Sequence, residues 1–225
     1  MSSLYLLVEG SETEPALYNA WLPLLLPGSK RLARPEDAAS TSGFYLLAGY
    51  GYPSILQRVQ IAVDDITKFP GFGRLVVALD SEDRTVDEAA EEMRQEIAKC
   101  NCPVSTSVVV AQCCVESWLL GNHKFVKRNP VTDDLCAFRG EYDVVQFDPE
   151  LMPNARRSHC NTRAQYHEAY LKAAYKEHGL KFTKSRPGPA LEEHYLKALL
   201  ERAAREENPK HLRTFATMVE IFSAG

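Results

Sequence analysis

Glu9 ends a short apolar run, Leu4-Tyr-Leu-Leu-Val8, and opens the polar segment Gly10-Ser-Glu-Thr-Glu14. A second acidic group, Asp80-Ser-Glu-Asp83, follows Arg74-Leu-Val-Val-Ala-Leu79, and Glu116 lies just beyond a third, β-branched run that closes at Ala111. Crowded carboxylates repel one another, and a divalent cation is the usual reason to tolerate the crowding. Ligands that are all oxygen favour Mg²⁺ or Mn²⁺ over zinc. A simpler role is open to some of these groups, because acidic residues in strand-to-helix loops often cap helices; Asp83 and Glu14 both suit it.

The elements that must bring these residues together alternate along the first half of the chain. Strands are expected over Leu4–Val8, Phe44–Ala48, Arg74–Leu79 and Val104–Ala111. Between them lie helical patterns with core positions at Leu17, Trp21, Leu24 and Leu25, then from Ile55 to Ile66, then from Val86 to Ile97. Pro27-Gly28, Phe69-Pro-Gly-Phe-Gly73 and Cys102-Pro103 interrupt them, and residues 29–42 read as a loop. Four strands alternating with helices predict an α/β fold with a parallel four-stranded sheet covered on both faces. In such a sheet all the strands' C-terminal ends share one edge, so Glu9 and Asp80 should converge there. Beyond a short helix at Val115–Leu120 the pattern changes to an irregular stretch and then three helices. Their core positions run over Tyr166–Ala173, Leu191–Ala203 and Leu212–Phe222. The expected organisation is an α/β unit at 1–122 and a mainly helical extension at 123–225.

The net charge of -4 argues against a bulk polyanion binder but not against a nucleic-acid enzyme, whose acidic site offsets a local basic patch. No stretch reaches the roughly 18 apolar residues of a membrane span. Met1-Ser-Ser leads into an apolar run too short for a secretory core, so a cytoplasmic protein with no membrane partner is expected. Cys100, Cys102, Cys113, Cys114, Cys136 and Cys160 lack paired C-x-x-C knuckles and read as reduced thiols.

Val8-Glu-Gly-Ser-Glu-Thr-Glu14, Leu79-Asp-Ser-Glu82 and Cys114-Val-Glu-Ser-Trp-Leu-Leu120, in that order within an alternating βα unit, resemble a Toprim domain. The closer resemblance is to the RloB-like and OLD-family nucleases of bacterial phage defence, and it covers residues 4 to about 122. It implies a metal-dependent nuclease acting on DNA or RNA with Mg²⁺ or Mn²⁺. Glu9 would be the Toprim glutamate, a metal ligand or general acid/base, and Asp80 with Glu82 the metal pair. Glu82 stands where that family carries a second Asp, so Asp83 is its competitor. Glu14 and Glu116 match the remaining acidic positions. The resemblance also admits a non-catalytic reading, in which the helical half binds a partner ATPase; a second copy of the chain is a further candidate partner.

Phosphodiester chemistry also needs cations. Lys181, Lys184 and Arg186 cluster in one loop, Arg156 and Arg157 precede His159, and Lys210, His211 and Arg213 open the last helix. Each set suits a strand-binding groove as well as a solvated surface. Lys184, in a short Gly/Pro-bounded loop, is the single cation expected at the site. His159, Cys160, His167, His123 and Asp133 match no known dyad or ligand spacing. Gly49-Tyr-Gly51 lacks the lysine of a phosphate loop and reads as a tight turn.

Overall fold

Successive residues of a strand point to opposite faces, and β1 (Ser3–Val8) uses both. Leu4, Leu6 and Val8 enter one apolar cluster, while Tyr5 and Leu7 enter another. This two-sided burial is what a central parallel strand requires. In the computed structural model, which describes residues 2–153, 160–205 and 210–224, β1 is flanked by β3 (Gly43–Ala48) and β4 (Phe72–Asp80), both parallel to it. With β2 (Lys30–Arg31) and β5 (Ser105–Ala111), the sheet has the order β2-β3-β1-β4-β5, parallel throughout.

The sheet thus has five strands, one more than the sequence suggested. The extra strand is a two-residue edge inside the segment expected to be loop, where Lys30 and Arg31 pair with Gly43 and Phe44. It has no apolar alternation to betray it. A Cβ on Gly43 would lie 2.1 Å from the Lys30 carbonyl oxygen, so the close approach depends on that glycine.

One sheet face is covered by α2 (Ser54–Lys68) and α3 (Val86–Lys99), through Ile55, Val59, Val63, Ala89, Met93 and Ile97. The other face receives α1 (Thr13–Leu25) through Leu17, Tyr18, Trp21 and Leu22. Leu24, expected in that stripe, is 41% exposed. A single crossover helix cannot cover this whole face, and the C-terminal half completes it. The helix α8 (Arg213–Ser223) packs on β5, and Phe215 meets both Trp21 and Trp118 edge-on.

Between sheet and helical layer sits α4 (Val115–Leu120), all six residues of which are buried. The stretch expected to be irregular after it contains another helix, α5 (Asp133–Glu141). It buries only Leu135 and Phe138, too few positions to give a visible period. Then come α6 (Arg163–Glu177) and α7 (Glu193–Ala203).

Polar side chains in the helical half are used to hold backbone. Arg202 is almost fully buried and donates to the carbonyls of Gly121, Val144 and Phe147. Each carbonyl would cost roughly 1–3 kcal/mol if left unpaired. Leu212 adopts left-handed φ just before α8, whose first amides, Thr214 and Phe215, are capped by the Glu150 carboxylate. His211 is held against Arg202, and Lys210 and Arg213 flank a different groove from Lys184, beside Arg94. Arg156, Arg157 and His159 lie outside the described residues.

Glu177, at the end of α6, accepts from the Thr132 hydroxyl (2.6 Å) and from the Val131 and Thr132 amides (2.9 Å each). The hydroxyl and amide bonds, with Lys127 beside them, outweigh burial and hold its carboxyl down to about 2. A carboxylate depressed on folding stabilises the fold above its ordinary value of 4.5 and loses that contribution as pH falls towards 2. Glu177→Gln should therefore be less stable than the parent at neutral pH, and the two should converge as pH falls through that window. Urea midpoints measured across the window read this directly.

Candidate active site

The chain leaves β1 towards β3 on one side, and later returns to place β4 on the other. The topological switch point of the sheet therefore lies between the C-terminal ends of β1 and β4, the usual place for a ligand in an open α/β sheet. Glu9 and Asp80 stand at those two ends. The Glu9 amide donates to the Ala78 carbonyl (2.9 Å), continuing the ladder, and the Asp80 amide donates to Glu9 Oε2 (3.1 Å). The convergence expected from the sequence is present in the geometry.

Glu14 joins them from the first turn of α1. Its Oε1 accepts from the Gly10 amide at 2.9 Å, and a Cβ on residue 10 would come within 2.3 Å of that carboxylate. The glycine after Glu9 is thus what lets Glu14 fold back over the strand end. Gly49 and Gly51 wrap the other side, their amides donating to the Val8 and Glu9 carbonyls, which makes this segment the tight turn expected of it.

Glu116, on the buried helix α4, acts on Asp80 through its charge, and Glu82 and Asp83 are both exposed; among the described residues no three carboxylates bring an oxygen each within 4.8 Å of one another. Glu82 is the one whose charge acts on Glu9. It has a left-handed φ of 51°, and its amide donates to the Cys113 carbonyl (2.8 Å). Asp83 lines a separate cavity with Gln112, Glu150 and Arg163.

Electrostatics single out this cluster. Burial pushes the carboxyls of Glu9, Glu14 and Asp80 above the ordinary range, and at Asp80 the Glu14, Glu116 and Glu9 charges add to it. Glu116 is raised to about 7, again chiefly by burial. These are acidic groups held where they ionise reluctantly, a perturbation that buried functional carboxylates share.

Lys184 reaches the same cluster from the far end of the chain. The 183–186 segment is a tight turn, the Arg186 amide donating to the Thr183 carbonyl at 2.9 Å, and Thr13 Oγ1 donates to the Lys184 carbonyl at 3.1 Å. That bond docks the turn on the start of α1. Burial works against the Lys184 ammonium, but the charges of Glu116, Glu168, Glu14 and Asp80 prevail and raise its pKa. Lys184 also lines a cavity of about 480 Å³ with Lys172, Lys176 and Lys181. Lys172 is paired with Glu168 and Lys176 with Asp134, so Lys181 and Lys184 are the cations least committed to protein partners there.

Sequence spacing did not bring out Cys113, Cys114 and His167 as a group, yet they meet beside Glu116. Their ligand atoms lie within 4.8 Å of one another, all buried. The available signal was the adjacent pair Cys113-Cys114 just past the end of β5 and just before Glu116; the histidine, far along the chain on α6, carried none. Cys160, also buried, is not in this group.

Fold and site together define a doubly wound parallel α/β protein with a carboxylate cluster at its switch point, faced by lysine. No family model, curated protein or solved structure matches the chain in comparison with known proteins.

With no metal bound, the crowding at Asp80 works against folding. Asp80→Asn should therefore raise stability by about 1 kcal/mol in a chelating buffer, as removal of active-site strain commonly does. Thermal unfolding with and without chelator tests this; a destabilised variant would mean that the carboxylate is held by compensating bonds instead.

Proposed function

We propose that the protein is a metal-dependent nuclease of Toprim type, hydrolysing phosphodiester bonds of DNA or RNA. The observation that carries this reading is the meeting of Glu9 and Asp80 at the switch point, linked through the Asp80 amide and faced by Lys184. The donor set there is carboxylate oxygen, which fits Mg²⁺ or Mn²⁺.

Glu9 and Asp80 would hold the cation, with Glu14 locked in place by the Gly10 amide and Glu82 and Glu116 at the margin. A bound divalent ion in such a site polarises the phosphoryl oxygen and lowers the pKa of the attacking water. Lys184 would pair with a non-bridging phosphate oxygen as charge builds there. Lys181 and the neighbouring lysines extend that cation along the groove, where a strand's next phosphates would lie. The biological setting we infer from the Glu-Gly-x-x-Thr-Glu and Glu-x-Trp-Leu-Leu motifs is bacterial anti-phage defence inside the cell. No helix among the described residues is long and apolar enough to cross a membrane.

The expected result is Mg²⁺- or Mn²⁺-dependent cleavage of plasmid or RNA by the purified chain. Glu9→Gln and Asp80→Asn should slow it at least about a hundredfold, at or beyond the top of the roughly 10–100-fold range of an outer-shell change. Lys184→Ala should weaken substrate binding uniformly across sequences and lower its salt slope by about 1. Cleavage at the parental rate by both acidic variants would remove the assignment.

A further inference from the structure

The group at the β5–α4 junction has its own chemistry, distinct from the oxygen donors of the neighbouring site. Cys113 has a left-handed φ of 66°, unusual for a residue with a side chain. It is pinned there from β4: its amide donates to Ser81 Oγ (2.8 Å), and its carbonyl accepts from the Glu82 amide (2.8 Å). Cys114 directly precedes α4, and His167 comes from α6. Strand end, buried helix and helical layer thus each bring a donor to one point.

Hydrogen counting assigns the histidine. Ser117 has one hydroxyl hydrogen, and its Oγ contacts both the Gln112 carbonyl (2.9 Å) and His167 Nδ1 (2.7 Å). A carbonyl can only accept, so the hydroxyl donates to Gln112, and the serine oxygen accepts from Nδ1–H. Neutral His167 therefore carries its lone pair on Nε2. That atom is fully buried and no oxygen or nitrogen takes it up, the Cys113 thiol being the neighbour that faces the ring. A histidine whose one ring N–H is fixed by an oxygen while the other nitrogen keeps its lone pair is in the state used by metal ligands.

We propose that Cys113, Cys114 and His167 form a binding site for a borderline-soft divalent cation, Zn²⁺ above all, with Ser117 as the outer-shell residue that fixes the imidazole. The ligand atoms already lie within 4.8 Å of one another. A tetrahedral centre with Zn–S near 2.3 Å and Zn–N near 2.0 Å spaces them roughly 3.5–3.8 Å apart, so closure needs side-chain adjustments of about 1 Å. Two thiols select against Mg²⁺ and Mn²⁺, which separates this site from the carboxylate cluster. Binding releases both thiol protons to solvent, and the two thiolates then cancel the dication. The loaded centre adds no net charge beside Glu116, and it ties α6 to the end of β5.

The test is cobalt(II) titration of the reduced, chelator-stripped full chain. The expected result is a near-ultraviolet thiolate-to-cobalt band with the intensity of two Co–S bonds, together with the visible bands of a tetrahedral centre, both abolished by zinc. Cys113→Ser and His167→Gln should lose or shift these bands. Cys136→Ser, at an exposed cysteine, and Glu9→Gln, in the acidic cluster, should keep them. Because the Glu9 variant removes the neighbouring site alone, failure there leaves this result unaffected. Absence of the thiolate band in the parent, or its full persistence in folded Cys113→Ser and His167→Gln, overturns the proposal. Should those variants not fold, zinc-edge X-ray absorption on the parent decides: two sulfur neighbours support the site, and an oxygen-only shell refutes it.

Discussion

A bond from the Asp80 amide to the Glu9 carboxylate, beside the ladder bond from the Glu9 amide to the Ala78 carbonyl, joins the ends of the two strands that flank the sheet's switch point. Around it the chain gathers more negative charge than it neutralises. Glu14 is drawn in by the Gly10 amide, Glu116 is buried on α4, and Lys184 is the cation that faces them from within the chain. Keeping like charges in a poorly hydrated pocket works against folding, so the surrounding structure must be rigid enough to enforce it. That constraint explains much of the rest. The strand ends are laced together through Ser81, Glu82 and Cys113, and α4 lies wholly in the core, its Trp118 indole donating to Thr214 on α8 (2.8 Å).

The helical half belongs to the same arrangement. Among the described residues α1 is the one crossover helix on the sheet face that holds Leu6, Val8 and Val76, so the apolar surface over β4 and β5 needs other cover. The helix α8 provides it, with its first amides capped by Glu150 and its approach fixed by the Arg202 network. The turn carrying Lys184 reaches the start of α1 through the Thr13 hydroxyl, with α7 and α8 packed against α1 and α6 against α4. Position in the fold and supply of the site's cation therefore come from one set of contacts.

What the sequence disclosed follows from how strongly each feature repeats. β1, β3, β4 and β5 stand out as apolar runs, and α2 and α3 as stripes at helical period, so the parallel sheet and the meeting of Glu9 with Asp80 could be foreseen. The edge strand at Lys30–Arg31 could not, because two exposed basic residues are held by the Gly43 approach and not by burial. Helix α5 escaped for a similar reason, with Leu135 and Phe138 alone facing the core. At the site, no local spacing records that Glu82 has a left-handed φ and acts on Glu9 through its charge, while Asp83 lines another cavity. The gathering of His167 with Cys113 and Cys114 depends on α6 docking against α4, a packing relation that no local spacing records.

We propose that the carboxylates at the switch point hold a divalent cation. Crystals soaked in Mn²⁺ and measured at the manganese absorption edge test it most directly. An anomalous peak coordinated by Glu9 and Asp80, and lost in Asp80→Asn, is the predicted result. Manganese bound only elsewhere, with Glu9 and Asp80 uncoordinated, would rule out this cation site.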